Sequence, residues 1–81
     1  MLRISVESKR KPDDVIKRAV DFFGPDGYGL KVTEQSDTCA SFEGGGGGIE
    51  ITTCTADKGS SVEFTSREWD SQVKDFIGKI T

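Results

Sequence analysis

The 81-residue chain fits a single domain, near the shorter end of lengths that fold without disulfide or metal support. With 33% hydrophobic and 31% charged residues it reads as soluble and globular, and no apolar run approaches the roughly 18 residues of a membrane helix. A net charge of -3 counts against a phosphate-backbone binder, and the absence of histidine removes the commonest general base and metal ligand.

The first residues, MLRISVESKRK, hold no apolar segment ahead of a cleavage site, so no secretory signal is expected and the cytoplasm is the expected location. From Leu2 to Ser8 the chain alternates strictly: Leu2, Ile4 and Val6 point one way, Arg3, Ser5 and Glu7 the other. That is the pattern of a half-buried strand. Lys9, Arg10 and Lys11 form a basic stretch too short for a nucleic-acid footprint. Pro12 suits the first position of a helix, and Asp13 and Asp14 suit its positive end. Val15, Ile16, Ala19, Val20, Phe22 and Phe23 then make a wide apolar helical face. Gly24 and Pro25 stop the helix, and Asp26, Gly27 and Gly29 continue a turn.

Four strand-like segments follow without a helix between them. Residues 28–35 place Tyr28, Leu30 and Val32 on one face, and residues 37–43 place Ala40 and Phe42 there. Residues 49–55 offer Ile49 and Ile51, and residues 60–65 offer Val62 and Phe64, with 56–59 (ADKG) as a hairpin turn between them. A second helix closes the chain. Thr65 and Glu68 fit a capping box at its start, with Ser66 a rival cap, and Trp69, Val73, Phe76, Ile77 and Ile80 form one stripe. Gly78 weakens its last turn. Tyr28, Trp69 and the phenylalanines fit these stripes as core residues. Every strand is apolar on one side only, which predicts an α+β fold: a five-stranded antiparallel sheet with both helices on one face and the other face open to water or a partner.

Gly44 to Gly48 are five consecutive glycines. A phosphate loop or a dinucleotide fingerprint needs a helix after its glycines, and Ile49, Glu50 and Ile51 continue as strand. The run therefore reads as a flexible, mobile hairpin loop. The alternative is that the bare backbone at Gly45, Gly46 and Gly47 closes over a ligand or lies against a partner. Two hairpin registers fit the alternation. Phe42 opposite Ile51 sets Cys39 against Cys54 and Glu43 against Glu50; Phe42 opposite Ile49 sets Cys39 against Thr52 and avoids the opposed glutamates. The cysteines are expected to stay reduced, and two thiols without histidine make a poor zinc site unless a dimer pools four. Glu7, Glu43, Glu50 and Glu63 fall on the polar side as a solvated face, open to partner or cation contact.

The succession strand, helix, four strands, long final helix resembles a single repeat of the TATA-box-binding protein fold. It is also similar to a minimal helix-grip domain of the START-like kind. The resemblance implies sheet order 1-5-4-3-2 with the final helix across a curved sheet. The TATA-binding repeat uses its open sheet face on DNA, with phenylalanine wedges. Here that face reads Arg3, Ser5, Glu7, Lys31, Thr33, Gln35, Ser41, Glu43, Glu50, Thr52 and Glu63, so nucleic acid is not an expected partner. Helix-grip proteins hold an apolar ligand between sheet and final helix, which here implies Trp69, Val73 and Phe76. The expected function is a small non-enzymatic interaction module, with no cofactor, catalytic residue or membrane association. It would meet a protein partner or a second copy through the polar face, with Glu43 and Glu50, or through a sheet edge such as 28–35, where Lys31 guards against open-ended pairing. The alternative is a small apolar ligand beside Trp69, Val73 and Phe76.

Overall fold

A computed structural model describes residues 2–81. The chain runs β1 (Leu2–Ser8), α1 (Pro12–Phe23), β2 (Lys31–Gln35), β3 (Cys39–Gly44), β4 (Gly47–Ala56), β5 (Gly59–Arg67) and α2 (Asp70–Ile80). The strands form one antiparallel sheet in the order β1-β5-β4-β3-β2. The fold is thus α+β, and both helices lie on the same face: α1 packs on β3, β4 and β5, and α2 on β5 and β1.

The alternation in sequence becomes the core. Ala40, Phe42, Ile49, Ile51, Val62 and Phe64 are buried beneath Val15, Ile16, Ala19 and Phe23 of α1 and Val73, Phe76 and Ile80 of α2. The valine, isoleucine and phenylalanine side chains among these each contribute about 1.5–3 kcal/mol when fully buried. Leu2, Ile4 and Val6 of β1 are only partly buried against this core. Pro12 stands in the first turn of α1, where its missing N–H costs nothing, and Gly24 ends the helix with its N–H donating to the Val20 carbonyl at 2.9 Å. No helix among the described residues is long and apolar enough to cross a membrane.

Three expectations need correction. Tyr28 is not on a strand. Residues 24–28 fold into turns whose amides find the last carbonyls of α1: Tyr28 N–H donates to Phe22 O at 3.2 Å and Leu30 N–H to Phe23 O at 3.0 Å. With those amides taken, the ladder starts at Lys31, and Tyr28 stays 47% exposed, its ring 5.3 Å from that of Phe22. The second correction concerns the start of α2. Thr65 and Ser66 do not cap it; β5 continues through both, with Leu2 opposite Ser66 on one side and Glu50 opposite Thr65 on the other. Two flanking ladders satisfy more backbone groups than one cap, and α2 begins only at Asp70, after Glu68 turns the chain with φ 67°.

The third correction concerns the glycines. Gly44 belongs to β3 and Gly47 and Gly48 to β4, which leaves only Gly45 and Gly46 as the turn. Their φ values of 58° and 83° are those of a two-residue type I′ hairpin, the tight turn whose twist matches the strands it joins. The register has Phe42 opposite Ile49, Cys39 opposite Thr52 and Glu43 opposite Gly48.

Candidate functional site

The bare face of the sheet can be read as rows running across the strands. One row holds Lys31, Glu43, Gly48 and Arg67; the next holds Glu34, Ser41, Glu50, Thr65 and Arg3, because the slip in β2 brings Glu34 to this face and sets Gln35, expected here, opposite buried Ala40. A third holds Cys39, Thr52, Glu63 and Ser5. Most of these residues are exposed and none is buried. In the first row Gly48 carries no side chain, so a gap opens between Glu43 and Arg67. It forms a trough of about 350 Å³, walled by Thr33, Ser41, Glu43, Glu50, Thr65 and Arg67. The gap is built in: a Cβ at Gly48 would stand 2.8 Å from the Phe42 carbonyl oxygen.

The trough brings two carboxylates, a guanidinium and three hydroxyls around an uncharged backbone floor. Such a set can hold a polar or basic side chain of another molecule through charge-assisted hydrogen bonds. Acid–base catalysis by a carboxylate pair asks for one partner shielded from water, and Glu43 and Glu50 are both exposed. Nearby, Arg3 Nη2 lies 3.4 Å from Glu63 Oε1, the one ion pair on this face among the described residues. Among the described residues no group of three or more Cys, Asp or Glu side chains is arranged to hold a metal ion. Cys39, half-buried, and Cys54, exposed, are both free thiols on this face.

The residues singled out in the sequence separate into three places. Glu43 and Glu50 lie on the open face. Val73 and Phe76, 0% and 1% exposed, are core; the Phe76 ring stands 5.3 Å from Phe22 and Phe23 and 5.9 Å from Phe64. Their side chains fill the space between α2 and the sheet. Trp69 joins the glycine hairpin instead. Its Nε1–H donates to Gly44 O at 3.0 Å, and its ring lies so near that a Cβ on Gly45 would be 2.9 Å from Cζ2. Gly47 is buried, and a Cβ there would overlap the Arg67 carbonyl. The glycine run and Trp69 therefore lock the end of the sheet to the start of α2. Arg67, Gly48 and Thr65 are not evident as face residues from local sequence, because the first and last also fit a helix entry and Gly48 fits a loop. The alternation of β5, which runs on to Arg67, was the signal that could have found them.

Away from the face, Asp14 of α1 sits between two arginines, 3.2 Å from Arg10 Nη1 and 3.2 Å from Arg18 Nε. Partial burial is the largest single influence and pushes its carboxyl up. The hydrogen bonds and charges of Arg18 and Arg10 together outweigh it and hold the group below the ordinary aspartate range.

No protein-family model matches the chain. No curated protein matches it either. Among solved structures, the crystal structure of a structural-genomics protein from Staphylococcus saprophyticus superposes with a TM-score of 0.61 at 16% identity, covering 94% of this chain and 77% of that one. At that identity the likeness bears on the fold alone.

Proposed function

We propose that the chain is a small non-enzymatic interaction module that meets a protein partner with its open sheet face. The observation that carries this reading is the unroofed trough over Gly48, where Glu43, Glu50 and Arg67 stand free of ion pairs among the described residues. Charges left unpaired around a shaped gap suit a partner that brings its own polar or basic side chains. Glu7, Glu34, Glu43, Glu50 and Glu63 against Arg3, Lys31 and Arg67 make the face acidic on balance, which disfavours a phosphate backbone. The cytoplasm is the proposed location, and two free thiols on the surface suit a reducing compartment.

Site-specific photo-crosslinking in cells tests the reading. A benzophenone side chain at Thr52, in the middle of the face, is expected to trap a partner that the same group at Lys17, exposed on α1, does not. Trapping equal from both positions, or from Lys17 alone, overturns it.

A further inference from the structure

The two edges of the sheet are unlike. β2 is short, its register slips between Val32 and Glu34, and it carries the exposed Lys31; these are devices that blunt an edge. β1 is longer, and its exposed charges, Arg3 and Glu7, are of opposite sign and so do not repel a second strand. It pairs with β5 in unbroken register from Leu2 to Ser8, contains no proline, and among the described residues has no partner strand on its other side. Its inward side chains Leu2, Ile4 and Val6 are only partly buried, as is Ile77 of α2. An unpaired row of backbone groups thus runs beside apolar side chains whose burial is incomplete.

We propose that this edge receives the β1 strand of a second copy of the chain, in antiparallel register centred on Ser5. The strand reads Leu-Arg-Ile-Ser-Val-Glu-Ser and is self-complementary about its middle. Paired on Ser5, Arg3 faces Glu7 of the other copy and Glu7 faces Arg3, both on the polar side. On the apolar side Ile4 faces Val6 and Val6 faces Ile4. Centring on Ile4 or Val6 sets Arg3 against Ser5, or Ser5 against Glu7, and no charged pair forms. Slips by one residue put apolar side chains opposite charged ones. Only the Ser5 register pairs all seven residues of β1 and both charges at once. The twofold axis stands perpendicular to the sheet, so the sheet runs on from one copy into the other and the two open faces lie side by side. The pairing does not depend on what that face binds.

A seven-residue strand pair is a small interface, so the association is weak and concentration-dependent. Sedimentation velocity from roughly 10 µM to 1 mM, a range suited to such an interface, is expected to show a monomer–dimer equilibrium. Arg3→Glu or Glu7→Arg alone places like charges opposite each other twice, and each is expected to weaken the dimer about tenfold. The double variant restores opposite charges and is expected to recover to within about threefold of the parent. Arg3 also pairs with Glu63, so Glu7→Arg is the cleaner single change, and thermal melts check that each variant is folded. In a sample of mixed isotope labelling, intermolecular NOEs between Ile4 and Val6 are expected. A monomer throughout the range, a dimer indifferent to the single changes, or a double variant as weak as the singles overturns the proposal.

Discussion

Ser8, Ser60 and Ser66 all point into the core from the strands, and their hydroxyls meet different fates. Ser8 Oγ donates to the Ile80 carbonyl at 2.6 Å and accepts from Arg10 N–H at 3.2 Å, so it ties the end of β1 to the last turn of α2. Ser60 Oγ donates to the Arg10 carbonyl at 2.9 Å. Ser66 is just as buried, and its Oγ has no partner among the described residues. Alanine should therefore act oppositely at the two ends of this set. Ser8→Ala strands a helix carbonyl and is expected to cost about 1–3 kcal/mol in chemical denaturation, whereas Ser66→Ala removes an unsatisfied group and is expected to be neutral or stabilising. Asp14 supplies a pH test. Its carboxyl titrates lower in the folded chain than in the unfolded one, so its contribution is present above the unfolded value of about 3.9 and lost as pH falls through the folded value. The melting temperatures of the parent and Asp14→Asn are expected to differ modestly at neutral pH and to converge as pH falls through the folded value, with the difference shrinking in salt because the carboxyl is still 42% exposed.

The joints between elements show where residue patterns speak and where they do not. The span of β1 and both ends of α1 follow from alternation, Pro12 and the Gly24–Pro25 stop, all of which act within a few residues. The entry to α2 does not. Thr65, Ser66 and Glu68 have the spacing of a cap, but strands on both sides of β5 claim the backbone first, and local spacing carries no trace of those neighbours. The cost of the resulting turn falls on Glu68, a side-chain-bearing residue at φ 67°. Glu68→Gly is expected to raise stability by about 0.5–1 kcal/mol, read as a shift in denaturation midpoint. The glycine run turns on Gly45 and Gly46 alone, a tighter hairpin than a flexible loop of five. Glycines have no alternation to read, so the strand character of Gly44, Gly47 and Gly48 appears only through their pairing. Trp69 is expected to report on this joint: Trp69→Phe loses both the bond to Gly44 O and the indole atoms that lie against Gly45, and the bond alone is worth about 0.5–1.5 kcal/mol.

A five-stranded sheet roofed on one side presents a broad polar surface on the other, and period-two patterning is enough to foretell both. The composition of the open face could be read from the chain for Ser5, Glu7, Glu50, Thr52 and Glu63. Its arrangement in rows could not, because two registers satisfied the same alternation; only the pairing of Phe42 with Ile49 places the Gly48 gap between Glu43 and Arg67. The lock between Trp69 and Gly45 joins residues far apart in sequence and had no local signal. The interaction surface exists only if the sheet is sealed on one side and bare on the other, and adjacent threonines offer a direct probe. Thr52 is exposed and Thr53, its neighbour on β4, is 3% exposed on the opposite face. With an inert paramagnetic chelate in solution, the methyl signals of Thr52 and Thr33 should broaden strongly while those of Thr53, Ile51 and Val62 stay sharp. Equal broadening of Thr52 and Thr53 would contradict a one-sided sheet and the binding face built on it.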